Sequence, residues 1–152
     1  MMGDINNKIS RVLDTDFEVP SIFKQILRKE TSLLPDEEIE DLVFLDREYL
    51  RERIESPVYS AAKLLVLTSY GLIIVEEGFI EISDNIMGYK IQHIPFSKIT
   101  SIELDACLLA GTLKISTSSY GKMEVEIPFN TARYYEDFES FISALRIKIV
   151  LA

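Results

Sequence analysis

Three groups of residues in this chain could do chemistry. Arg47, Arg51 and Arg53 lie in one short stretch, DREYLRERIE at 46–55, and form its basic cluster. Guanidinium forks gathered this way are candidate ligands for an anion such as a phosphate or a lipid headgroup. Glu48, Glu52 and Glu55 are interleaved with them, so the charges can also neutralise one another along the stretch. His93 and Cys107 are the single histidine and the single cysteine. They could in principle form a base and a nucleophile. If Tyr89–Ile94 and Ile99–Asp105 are strands paired through a Pro95–Lys98 turn, Cys107 lies roughly 13 Å past the position facing His93, at ~3.3 Å per residue. A proton does not pass directly over that gap. His93 is expected as a half-wet strand residue and Cys107 as a small core residue.

The third group is acidic. Asp36, Glu37, Glu38, Glu40 and Asp41 crowd one loop. The D-x-D-x-D-G pattern of a calcium loop is absent, and the run is expected to be a solvated turn. Glu76, Glu77 and Asp84 border an expected loop and are the candidates for a carboxylate hydrolase or transferase. No pair among them stands out as acid and base. One histidine and one cysteine do not make a usual zinc site. No P-loop, dinucleotide fingerprint or G-x-S-x-G elbow occurs. The residues therefore point away from an enzyme, and no cofactor is expected.

Composition narrows the partners. The chain has 152 residues, 47% of them hydrophobic and 27% charged, with 16 basic and 25 acidic residues and a formal charge of -9. Phosphate binding needs clustered Lys and Arg, so a nucleic-acid partner is not expected. An anionic membrane surface repels the same charge, and a membrane partner is not expected either. A lone cysteine forms no internal disulfide and fits a reducing compartment. MMGDINNKIS carries no apolar h-region, and no apolar run reaches the ~20 residues of a membrane span. The expected location is the cytoplasm.

The elements that must position these groups follow from periodicity. KLLVLTSYGLIIV, at Lys63–Val75, is the organising stretch: two apolar runs around a Ser69-Tyr70-Gly71 turn, read as a β-hairpin covered on both faces. Before it, Ile5–Leu13 and Ser21–Glu30 carry apolar residues at helical spacing and are expected to fold back as an arm. Ile39–Leu45 is the first strand. After the hairpin, Glu81–Gly88 reads as a loop, and Tyr89–Ile94 and Ile99–Asp105 as strands. Leu113, Ile115 and Thr117 then alternate with polar residues, as do Val125, Ile127 and Phe129, which defines a hairpin around Ser119–Lys122 with one wet face. Lys114 can face a glutamate across it. Asn130 caps a helix running to about Lys148, with Tyr135, Phe138, Ile142, Leu145 and Ile149 on its apolar stripe and Tyr134, Phe141 and Ala144 widening it.

The order of elements, with LLVLTSYGLIIV at Leu64–Val75, HIPFSKITSIEL at His93–Leu104 and LLAGTLKIST at Leu108–Thr117, resembles the bacterial pleckstrin-homology-like (PH-like) domain family. The resemblance covers about Asp36 to Lys148. It implies a mainly β fold: a PH-like barrel of two near-orthogonal antiparallel sheets, about seven strands, capped by the C-terminal helix. Residues 1–33 would be an N-terminal helical arm and 34–152 the PH-like domain. It further implies a non-enzymatic binding or assembly module that binds protein and forms homo-oligomers. The two-sided apolar hairpin offers Leu65, Leu67, Ile73 and Val75 as candidate interface residues. Eukaryotic relatives bind phosphoinositides through basic residues after the first strand. The matching region here carries Arg47, Arg51 and Arg53, which keeps anionic lipid or phosphate binding as the alternative function.

Overall fold

The computed structural model describes residues 2–14, 19–49, 58–78, 88–117 and 123–152. These form two compact units, Met1–His93 and Ile94–Ala152. The protein is mainly β, with two antiparallel sheets of four and three strands and a two-stranded ribbon. Among the described residues no strand pairing closes the sheets into a barrel.

In the first unit, helices α1 (Met2–Leu13) and α2 (Ser21–Leu27) precede β1 (Ile39–Leu45). Strands β2 (Glu48–Tyr49) and β3 (Val58–Ser60) form the ribbon. Strands β4 (Lys63–Thr68), β5 (Gly71–Glu77) and β6 (Tyr89–Pro95) complete a sheet of order β1-β4-β5-β6. The expected hairpin is thus β4–β5, in a register that sets Leu64 opposite Val75 and Val66 opposite Ile73. A continuous apolar run asks for burial on both faces, and β4 is buried at every position. Leu64, Val66, Ile73 and Val75 share a core cluster with Leu42, with Val12 of α1 and with Ile22, Phe23, Ile26 and Leu27 of α2. Phe23 meets Phe44 edge to face, with centroids 6.0 Å apart. The helical arm is therefore part of this core. Each of these large side chains stabilises the fold by roughly 1.5–3 kcal/mol through burial.

The second helix stops earlier than its periodicity suggests. Its C-terminal side ends in a Schellman-type turn: Lys29 N–H donates to the Ile26 carbonyl at 3.0 Å and Glu30 N–H to the Gln25 carbonyl at 2.9 Å. Lys29 adopts φ 60° to make it, a left-handed conformation usually given to glycine.

In the second unit a short 3-10 turn at Phe96–Lys98 leads into β7 (Ile99–Ala106), β8 (Gly111–Thr117) and β9 (Met123–Phe129), a meander in that order. Strands β6 and β7 belong to different sheets, so the pairing assumed between Tyr89–Ile94 and Ile99–Asp105 does not occur. The 3-10 turn between them breaks the hairpin geometry that the two runs suggested. In the β8–β9 hairpin Leu113, Ile115, Ile127 and Phe129 are buried and Glu124 and Glu126 exposed, as alternation requires. Its expected turn at Ser119–Lys122 lies outside the described residues, as do residues 81–87 of the earlier loop. Lys114 lies between Glu103 of β7 and Glu126 of β9 in the register, with its Nζ 3.8 Å from Glu103.

Helix α3 (Thr131–Leu151) closes the unit. Asn130 Oδ1 accepts the Arg133 backbone N–H at 3.2 Å, a regular N-cap. Tyr134, Phe138, Phe141 and Leu145 are the buried face. Phe138 stacks on Phe129 of β9 with centroids 4.0 Å apart. The stripe is rotated from the expected one: Tyr135 is 42% exposed, and Ile142 and Ile149 lie half-buried at its margin. Gly111 opens β8 because a Cβ there would sit 2.6 Å from the Phe129 ring.

Candidate interaction surface

Arg47 follows β1 closely, which brings it beside the last residue of β5. Its Nε donates to Glu77 Oε1 and its Nη2 to Glu77 Oε2, each at 2.7 Å. Glu77 Oε1 also accepts the Ala62 backbone N–H at 2.8 Å. Two strong charge-assisted bonds in fork geometry commit this guanidinium to a structural carboxylate. Glu77, a candidate for carboxylate chemistry, is engaged in the same pair. Arg51, Arg53 and Asp84 lie outside the described residues.

Leu65, Leu67, Ile73 and Val75 are 0, 0, 2 and 0% exposed. They are core residues of this chain, and the apolar hairpin offers no free surface at these positions. The runs are unbroken because both faces of the hairpin are covered, the condition under which alternation with polar residues disappears.

The acidic run is a solvated turn only in part, with Asp36, Glu38 and Glu40 exposed. Glu37 and Asp41 are buried. Glu37 accepts the Leu34 N–H at 3.0 Å and the Thr68 hydroxyl at 2.5 Å. Thr68 Oγ1 in turn accepts the N–H groups of Tyr70 and Gly71 at 3.1 and 3.2 Å. Tyr70 donates its hydroxyl to Asp36. Asp41 accepts Lys8 Nζ of α1 at 2.5 Å and the Leu42 N–H at 2.9 Å. Glu38 meets Lys29 at 3.0 Å. The loop clamps the β4–β5 turn, and Asp41 of β1 holds the first helix. Thr68 and Ser69 were the sequence signal, since turn hydroxyls seek such partners.

Cys107 is exposed, not a core residue. It opens the turn between β7 and β8, where its N–H donates to the Ala110 carbonyl at 2.7 Å. All of Ala106–Ala110 is exposed, and Leu108 and Leu109 at the tip are 87 and 69% exposed. The Thr131 N–H meets the Leu109 carbonyl, which ties the tip to the start of α3. At the other end of α3, Ile147, Val150 and Leu151 are 60, 80 and 78% exposed. His93 is exposed on β6. Among the described residues no three His, Cys, Asp or Glu side chains converge as metal ligands. Among them, too, no helix is long and apolar enough to cross a membrane.

No family model, curated protein or solved structure matches this chain.

Proposed function

We propose that this chain is a non-enzymatic, cytoplasmic PH-like module that binds protein and self-associates, its two sheets standing for the two halves of a PH-like barrel. The observation that carries the reading is a pair of separate apolar, solvent-exposed clusters in the second unit, the Leu108–Leu109 tip at the start of α3 and Ile147, Val150 and Leu151 at its far end. Neighbouring large aliphatic side chains left together in solvent support a contact surface. Three of the charged groups that could have served chemistry are committed instead to pairs within the fold, Arg47 and Glu77 to each other and Asp41 to Lys8. The anionic-ligand alternative loses Arg47 to Glu77 and rests on Arg51 and Arg53 against a net charge of -9.

Sedimentation equilibrium over a wide concentration range tests the self-association, and affinity capture with Leu108→Ser as the control tests protein binding. A chain that stays monomeric, and captures nothing that the Leu108→Ser variant fails to capture, sinks the reading. Co-sedimentation with anionic vesicles at low salt, lost in an Arg51→Ala/Arg53→Ala variant, would replace it with the alternative.

A further inference from the structure

Helix α3 has a second face. Opposite the buried Tyr134, Phe138, Phe141 and Leu145 it exposes Glu136, Glu139, Ser140, Ser143, Ile147 and Val150. Steps of three and four place these in one stripe, about 21 Å long at ~1.5 Å per residue. The stripe is polarised. Its first half carries Glu136 and Glu139, with Asp137 beside them. Its middle is small, Ser140 and Ser143. Its last half carries Arg146, with Ile147, Val150 and Leu151 standing 60, 80 and 78% exposed. The one base of the first half, Arg133, lies over the Tyr134 ring at 5.1 Å.

We infer that this face pairs with the same face of a second copy, antiparallel, about a two-fold axis near Ser143. The inference rests on the self-association proposed above and names its surface. The charge pattern selects the occupant. An antiparallel pair sets the acidic half of each helix against the basic and apolar half of the other. Residue 139 then lies level with residue 147 of the second copy, and residue 140 with residue 146, so Glu139 and Arg146 come within reach and the ion pair forms twice. A parallel pair would oppose Glu139 to Glu139 and Arg146 to Arg146, which is repulsive. An anionic lipid surface meets the glutamates along half of the stripe. Ser140 and Ser143 let the two backbones approach, and Ile147 of each helix packs beside Ser140 of the other. A contact of this kind is isologous and closes at the dimer.

The test uses the full chain in sedimentation equilibrium, with far-UV circular dichroism to confirm folding. Ile147→Glu weakens the dimer by about tenfold or more, as expected for a central apolar contact. Glu139→Arg and Arg146→Glu each weaken it, and the double reversal restores it to within about twofold of the parent, because the exchanged charges still meet. Ser143→Cys in a Cys107→Ser background forms a disulfide-linked dimer on oxidation without loss of helicity. If the parent associates while Ile147→Glu leaves the constant unchanged, the double reversal does not recover, and the Ser143→Cys chain does not cross-link, this face is not the interface and self-association stands elsewhere. A parent that remains monomeric overturns both.

Discussion

Arg47 and Glu77, thirty residues apart in the chain, meet in a bidentate ion pair with both bonds at 2.7 Å, and Glu77 is only 6% exposed. The pair fastens the end of β1 to the end of β5, while the Ala62 N–H donates to the same carboxylate. Removing one partner leaves a desolvated charge behind. Glu77→Ala is expected to destabilise the chain by about 3–5 kcal/mol in urea denaturation. Added phosphate is expected to leave the melting temperature of the parent unchanged, because Arg47 is already engaged; a rise that Arg47→Ala abolishes would show the guanidinium to be available to anions.

The helical arm belongs to the core of the first unit through Phe23, which is fully buried in one cluster with Leu64 and Val66 and in edge contact with Phe44. Phe23→Ala is expected to cost about 3–5 kcal/mol. Leu108→Ser, at an exposed tip, is expected to stay within about 0.5 kcal/mol of the parent. Equal losses for the two would mean that the arm does not hold the sheet.

Gly111 sits under the Phe129 ring, which itself stacks on Phe138. A methyl group at Gly111 must displace that ring. Gly111→Ala is expected to lose about 1–3 kcal/mol through overpacking. Phe129→Leu in the same chain should recover part of the loss, a coupling that a double-mutant cycle reads directly.

Lys29 holds φ 60° at the end of α2, where glycine carries no Cβ penalty. Its bridge to Glu38 is solvent-exposed and contributes little. Lys29→Gly is expected to raise stability by about 1 kcal/mol in chemical denaturation. A loss of stability would show that the bridge outweighs the strain.

Tyr70 ionises above its ordinary value of 10.0, first because its hydroxyl donates to Asp36, then through desolvation and the negative charges of Asp36 and Glu37. The folded state therefore favours the neutral phenol. The stability this gives is fully present below the unfolded value near 10 and is lost as pH rises through the raised folded value. In a spectrophotometric titration the phenol of Tyr70 is expected to ionise late, and Tyr70→Phe to remove that contribution. A titration unchanged by Tyr70→Phe would contradict the Asp36 contact.

The sequence by itself determined the elements whose signals are local. Alternation placed Leu113, Ile115, Ile127 and Phe129 inside β8–β9, Asn130 announced the start of α3, and the two apolar runs around Ser69-Tyr70-Gly71 defined β4–β5. Each signal depends on neighbours within a few residues. Only the tertiary structure decided the rest. It put β6 and β7 in different sheets, buried Leu65, Leu67, Ile73 and Val75 within the chain itself, and set Cys107 on an exposed turn. It also gave Glu37 to Thr68, Asp36 to Tyr70 and Arg47 to Glu77, partners 30 to 34 residues away. A carboxylate or guanidinium reads the same in a sequence whether solvent or a distant side chain answers it, and only folding brings that partner within reach.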